Sequence, residues 1–187
     1  MKFLIKISHG IDHLNDWVGR TSSWMVLLMI LIGAYNATTR KLSQAIGVDL
    51  SSNTYIEAQW YLFSLVFLLS GAYALRHNVH VRVDVIFSRL TRRKKAVIDL
   101  LGTIIFLIPF CVLLLWVTWP YAMASFEIFE KSPDPGGLPR WPIKATIFVA
   151  FTLLLLQAFS QIVHIVALLT GAVPDDDELL EETEASI

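Results

Sequence analysis

Four mostly apolar segments, each about as long as a bilayer is thick, constrain this chain more than any other feature of its sequence. They cover about residues 22–39, 58–75, 97–124 and 143–170. A helix needs about 20 mostly apolar residues to cross the roughly 30 Å hydrocarbon core of a bilayer. Because 55% of the residues are hydrophobic and 17% are charged, an ordinary soluble domain is excluded. The sequence predicts an all-α integral membrane protein with four transmembrane helices, in one domain over residues 1–174.

Two further helices are predicted at the membrane surface. The N-terminal residues carry apolar side chains at helical spacing, at Leu4, Ile7, Ile11, Leu14 and Val18. This spacing is typical of an amphipathic helix that lies on the membrane before the first span, although a solvated lead-in fits equally well. The N-terminal apolar run is too short for a signal peptide. A second interfacial helix is predicted between spans two and three, with apolar positions at Ile86, Leu90, Val97 and Leu101.

The third segment is longer than one crossing requires and contains Pro109. Proline lacks the backbone N–H of a helical hydrogen bond and its ring clashes with the preceding turn, so we expect a kink or a tilt there. A single cysteine, Cys111, excludes disulfides and cysteine-based metal sites within the chain. Residues 175–187 form an acidic tail, which we expect to be solvated.

Basic residues predict the orientation. The connection between spans two and three carries Arg76, Arg82, Arg89, Arg92, Arg93, Lys94 and Lys95, and the N-terminal segment adds Lys2, Lys6 and Arg20. The other two connections carry only Arg40, Lys41, Lys131, Arg140 and Lys144. Since short cytoplasmic loops are enriched in Lys and Arg, we expect both termini to face the cytoplasm, with the two other connections outside.

A polar stripe follows one face of the fourth span, formed by Gln157, Ser160, Gln161 and His164. Such groups are costly against lipid, so the stripe should face protein or water. Two interpretations are equally good: a seam with a partner subunit, or hydrogen bonds inside this bundle. A proton relay is less favoured, because no Asp or Glu lies in the middle of a predicted span.

No catalytic, cofactor or metal site is predicted. Haem held between helices needs two facing histidines, and of the five here only His164 lies well inside a predicted span. The sequence contains no P-loop, no nucleophile with a base and no metal cluster. We therefore expect a protein that is not an enzyme.

The connection before the fourth span is rich in Pro and Gly over residues 132–142, which predicts a stiff segment without a helix or strand. Trp141, with Trp116, Trp119 and Tyr121, suits an aromatic belt at the outer membrane interface. A shaped docking surface for an external protein is the alternative, and rigidity would lower the entropy lost on binding. Its candidate residues are Gly137, Leu138, Arg140 and Trp141.

Three short motifs carry a resemblance to a known family. They are Glu57-Ala58-Gln59-Trp60-Tyr61-Leu62-Phe63, then His80-Val81-Arg82-Val83-Asp84 after Arg76, and Gly137-Leu138-Pro139-Arg140-Trp141-Pro142. With the order and spacing of the spans, they make residues 15–170 resemble the small, DctQ-type membrane subunit of tripartite ATP-independent periplasmic (TRAP) transporters. The family pattern marks Glu57, Trp60, His80, Arg82 and Asp84 as contact or fold-defining positions. With the polar stripe, they are the candidates for a partner interface.

The resemblance implies a scaffold role in sodium-coupled uptake of an organic acid. A large DctM-type subunit, bound one to one, would carry the substrate pathway, and a periplasmic substrate-binding protein would dock transiently. The membrane would be the cytoplasmic (inner) membrane of a bacterium or archaeon, whose lipids are further partners. Two alternatives stay open: a membrane anchor of a redox enzyme, which predicts a haem absorption band, and an autonomous carrier, which predicts uptake by liposomes containing this chain alone.

Overall fold

A computed structural model describes residues 2–47, 52–79 and 90–171 of the chain. Within these ranges the protein is helical, with short connections and no strand. The helices are α1 (Lys2–Ile46), α2 (Asn53–Arg76), α3 (Arg92–Gly102), α4 (Ile108–Glu127) and α5 (Trp141–Leu169). A π-helical segment, Thr103–Leu107, joins α3 to α4. Four helices are long and apolar enough to cross a membrane, and this confirms the predicted all-α membrane fold.

Helix α5 forms the centre of the bundle. It packs against α1, α2 and α4, and α1 also packs against α2. One-third of the apolar 18-residue stretch of α5 is buried inside the protein. In each of the other three spanning helices, about one-tenth or less of the corresponding stretch is buried. Because α5 touches every other long helix, its polar residues lie where contacts between helices converge.

Helix α1 is polar on its buried side and apolar on its exposed side. Its buried polar residues are Ser8, Asp12, Asn15, Ser22 and Asn36. Its most exposed apolar residues include Phe3, Trp17 and Trp24, which are 64–74% exposed. This arrangement suits a helix in a bilayer, since lipid tolerates apolar side chains and polar groups need partners inside the protein.

The helix expected at the N-terminus is present, but it is not a separate element. It is the first part of α1, which continues without interruption from Lys2 to Ile46. At 1.5 Å per residue, these 45 residues extend over about 67 Å, more than twice the thickness of the hydrocarbon core. The polar side of the first half of α1 faces another helix, α5.

A π-helical turn precedes Pro109, where a kink or a tilt is predicted; the kink or tilt itself stays a prediction. The N–H of Ile108 donates to the carbonyl of Thr103, five residues earlier, directly before the proline. Because Pro109 has no N–H to donate, a wider turn at this point costs the helix little hydrogen bonding. The third span thus consists of α3, the π-turn and α4, and includes the buried Cys111.

Residues 80–89 and 172–187 lie outside the described residues. They include Ile86 of the predicted interfacial helix and the whole acidic tail. The described part of that connection shows α3 beginning at Arg92, so that Val97 and Leu101 belong to a helix continuous with the third span.

Candidate functional site

A buried carboxylate, Asp12 of α1, gathers the polar stripe of α5. Gln157 Nε2 donates to Asp12 Oδ1 over 2.9 Å, and Ser160 Oγ donates to the same oxygen over 2.7 Å. His164 Nε2 lies 3.0 Å from Asp12 Oδ2. One turn further along α1, Asn15 Nδ2 donates to Gln157 Oε1 over 2.6 Å. These five residues are called the Asp12 cluster below.

Helical periodicity explains why the cluster forms. Residues 157, 160 and 164 project from one face of α5, and residues 8, 12 and 15 project from one face of α1. The same two faces meet at Ser8, whose backbone carbonyl accepts from Ser160 Oγ over 3.4 Å. A carboxylate removed from water needs several donors, and Asp12 receives them from three side chains.

The polar stripe therefore has partners within the chain. Gln157 and Ser160 are 3% and 0% exposed, so a second protein would not reach them directly. Gln161 is also buried, and its Oε1 has no hydrogen-bond partner among the described residues. The observed contacts are hydrogen bonds inside this bundle, as one of the two interpretations predicts. A role of the stripe in binding a partner subunit stays a prediction.

Asp12 is not among the residues predicted from the sequence, because it precedes the first predicted span. A proton relay was disfavoured because no Asp or Glu lies in the middle of a predicted span; Asp12 lies beside the stripe although it precedes the first predicted span. The structure brings Asp12 to His164 although 152 residues separate them. The missed signal was the spacing of Ser8, Asp12 and Asn15, which matches that of the polar stripe.

Two histidines also meet at this end of the bundle. The rings of His9 and His164 lie edge to face with their centroids 5.6 Å apart. His164 already directs Nε2 toward Asp12, which leaves Nδ1 for another contact. The described residues contain no group of three or more His, Cys, Asp or Glu side chains that could hold a metal ion.

A second acidic residue of α1 joins α1 to the end of α2. Asp16 forms an ion pair with Arg76 and lies 2.9 Å from His77 Nε2. Nearby, α1 and α2 approach closely at Gly19, where an added Cβ would lie 2.4 Å from the ring of Tyr73. Asp12 and Asp16 thus connect the first half of α1 to two different helices.

At the opposite end, Glu57 of α2 holds the Pro- and Gly-rich connection. Its side chain accepts hydrogen bonds from Ser132 Oγ and from the backbone N–H of Leu138, and Glu57 is 3% exposed. Gly137 lies close to the side chains of Ser132 and Glu57. A Cβ added at Gly137 would be 2.4 Å from Ser132 Cβ and 2.9 Å from Glu57 Oε2. The residues Glu57, Ser132, Gly137 and Leu138 are called the Glu57 clamp below.

Further contacts shape the same connection into a compact loop. Ser132 donates its N–H to the carbonyl of Leu138 over 3.1 Å, and Tyr61 Oη donates to the carbonyl of Pro139 over 3.0 Å. Glu130 accepts from Ser125 Oγ over 2.6 Å and forms an ion pair with Lys144 of α5. The Lys144 hydrogen bond, with that of Ser125, holds the pKa of the Glu130 carboxyl below its usual value.

The docking-loop candidates lie within this loop and are partly buried. Gly137, Leu138 and Arg140 are half-buried, whereas residues 133–136 and Pro139 are exposed. Trp141 packs its ring against Phe126, with centroids 5.5 Å apart. The rigidity expected of the segment has a physical basis in these contacts, and docking of an external protein stays a prediction.

The family-marked positions have different environments. Glu57 is buried in the clamp, whereas Trp60, on the same helix, is 40% exposed. His80, Arg82 and Asp84 lie outside the described residues. Their predicted contacts therefore have no structural description.

Long apolar helices, with polar side chains paired inside the bundle, define an α-helical membrane protein with several spans. A family model described as "Tripartite ATP-independent periplasmic transporters, DctQ component" matches residues 29–168. The chain therefore belongs to the DctQ family and is a small membrane subunit of a TRAP transporter. In these systems the DctQ component works with a DctM component and a substrate-binding protein. No curated protein and no solved structure matches the chain.

Proposed function

We propose that this chain is the non-catalytic scaffold of a sodium-coupled TRAP transporter that takes up an organic acid. The observation that carries the scaffold role is the use of its buried polar groups. Asp12 and Glu57 each join segments far apart in the sequence, because Asp12 and Gln157 are 145 positions apart and Glu57 and Leu138 are 81 positions apart. Polar side chains used in this way fix helices and loops in place.

The transport pathway itself belongs to the large DctM-type subunit in this proposal. One small subunit binds one large subunit, in the cytoplasmic membrane of a bacterium or archaeon, with both termini of the small subunit in the cytoplasm. Family membership supports the division of labour, and the basic residues between spans two and three support the orientation. Sodium coupling and the organic acid substrate rest on the family resemblance.

The loop held by the Glu57 clamp is proposed to receive the substrate-binding protein. Its exposed residues 133–136 follow the clamp directly, and internal hydrogen bonds limit their motion. A loop ordered before docking loses less entropy when it binds. Docking there is transient, as delivery of substrate requires.

Purification from the native membrane tests the subunit assignment. The full-length chain carries a C-terminal tag and is extracted in mild detergent, and retained proteins are identified by mass spectrometry. We expect a large multi-spanning membrane protein in equal amount, without a haem absorption band. A haem band, or repeated absence of a large membrane partner, would transfer the assignment to the redox anchor or the autonomous carrier.

Reconstitution tests the scaffold role and the coupling ion. Liposomes receive the large subunit with this chain, the large subunit alone, or this chain alone, and the binding protein supplies radiolabelled organic acid. We expect uptake only with both subunits, driven by an inward sodium gradient and not by an equal potassium gradient. Uptake by this chain alone would contradict the proposal.

A substitution in the loop separates docking from assembly. Asp134→Arg reverses a charge on the exposed part of the loop; because Asp134 also contacts Glu57, hydrogen exchange at the Leu138 amide serves to check that the Glu57 clamp stays formed in this variant. We expect weaker binding of the substrate-binding protein with normal retention of the large subunit. The matched control is Arg40→Asp, a charge reversal at an exposed position of α1 outside the loop. Equal binding by both variants would exclude this loop as the docking surface.

A further inference from the structure

A recess opens between the beginning of α3 and the end of α5. Its volume is about 490 Å³, and the described residues that line it are Arg93, Leu168, Leu169, Thr170 and Gly171. This volume lies within the range of about 300–1,000 Å³ that is usual for small-molecule sites. Its lining therefore combines one guanidinium group with two leucine side chains.

A second recess shares Arg93 with the first. It measures about 480 Å³, and the described residues that line it are Leu90, Thr91, Arg93, Lys94, Val97 and Ile98. Its surface is mainly apolar, and two cationic side chains are among its lining residues. Arg93 thus lines two recesses that each combine positive charge with apolar side chains.

The position of the recesses matches a membrane boundary. Arg93 begins one helix able to span a membrane, and Leu169 ends another. Both recesses therefore lie where spanning helices leave the hydrocarbon core. The first turn of α3 contains basic residues and no acidic residue. A ligand here should be anionic at one end and apolar at the other.

We propose that the two recesses around Arg93 bind one anionic phospholipid. The lipid phosphate contacts the Arg93 and Lys94 side chains, and Leu168, Val97 and Ile98 pack against the glycerol and the upper acyl chains. Guanidinium groups bind phosphate oxygens through paired N–H donors, which favours Arg93 as the main contact. The lipid would connect α3 to α5 at an end of the bundle where few other contacts join them.

Lipid titration of the purified protein tests this site. The full-length chain, with any membrane partner that co-purifies, is stripped of lipid in detergent and titrated with phosphatidylglycerol or phosphatidylcholine. Native mass spectrometry measures the bound lipids. Arg93→Gln with Lys94→Gln should weaken phosphatidylglycerol binding about fivefold for each charge removed. Arg40→Gln with Lys41→Gln, which removes two exposed charges from α1, should leave this binding unchanged.

A second variant distinguishes lipid binding in the recess from general electrostatic attraction to the basic residues. Thr170→Trp fills the recess beside Arg93 without changing the charge, and it should also weaken phosphatidylglycerol binding. The proposal fails if Thr170→Trp binds normally, if the control pair loses as much binding, or if phosphatidylcholine binds equally well. It also fails if removal of residues 175–187 creates the binding, since the acidic tail would then be the natural occupant of the recess.

Discussion

Replacing Asp12 by Ala should destabilise the bundle strongly, because it leaves the donors of Gln157, Ser160 and His164 without their acceptor. Interhelical hydrogen bonds in a membrane protein contribute about 0.6 kcal/mol on average and up to about 1.7 kcal/mol. Three such contacts give an expected loss of about 2–5 kcal/mol in the free energy of unfolding. The upper part of the range applies if water does not reach the three donors.

Detergent-induced unfolding in mixed micelles measures this loss. Asp12→Asn keeps one acceptor oxygen but removes the charge, so its loss should be smaller than that of Asp12→Ala. The matched control is His13→Ala, a neighbouring but exposed position on α1. A cycle that combines Asp12→Ala with Ser160→Ala should show a coupling of about 0.6–1.7 kcal/mol.

Either of two results would refute this reasoning. If Asp12→Ala unfolds like His13→Ala, the Asp12 cluster does not hold α1 against α5. If the Asp12 and Ser160 substitutions are additive, the two side chains do not interact in the membrane, whatever the stability of the single variants.

Three further predictions concern the close contact at Gly19 and the loop before α5. Gly19→Ala should lower the unfolding free energy by about 1–3 kcal/mol, because its Cβ would overlap the Tyr73 ring; Gly10→Ala on the same helix meets nothing within 4 Å and should be neutral or stabilising in the same assay. Glu57→Gln should speed hydrogen exchange at the Leu138 amide, since glutamine offers one acceptor oxygen to two donors; unchanged exchange would contradict the Glu57 clamp. The Glu130–Lys144 contact should stabilise the protein above the usual carboxyl range and be lost as pH falls through the lowered pKa of Glu130; melting temperatures between about pH 6 and pH 3 should show this acid-sensitive part in the native chain but not in Lys144→Gln.

The sequence predicted the helices better than their partners. Hydropathy is a property of consecutive residues, so four spanning helices could be recognised before any contact was known. The spacing of Gln157, Ser160 and His164 likewise predicted a single polar face. Pairing of that face with Asp12 depends on which helices become neighbours, and no local pattern encodes this choice.

Helix α1 shows what a local pattern leaves open. Asp12, Asp16 and Arg20 interrupt its apolar residues, so the pattern predicts a first span that begins near residue 22 and a surface helix before it. In the structure Asp12 and Asp16 contact α5 and α2, respectively. The sequence pattern does not identify these partners, because only the tertiary structure determines which helices become neighbours.

The distribution of polar contacts bears on the scaffold role. Asp12 and Asp16 hold α1, α2 and α5 together near the start of α1, and Glu57 and Glu130 hold the loop before α5 to α2 and α5. A part that moved during transport would need some of these contacts to break and reform, and breaking a buried carboxylate contact is costly. These contacts support the proposed scaffold role, in which this chain stays rigid. If Asp12→Ala reduces uptake only to the extent that it reduces the amount of assembled complex, the cluster acts through stability; a loss of uptake in fully assembled complex would give Asp12 and His164 a direct part in transport.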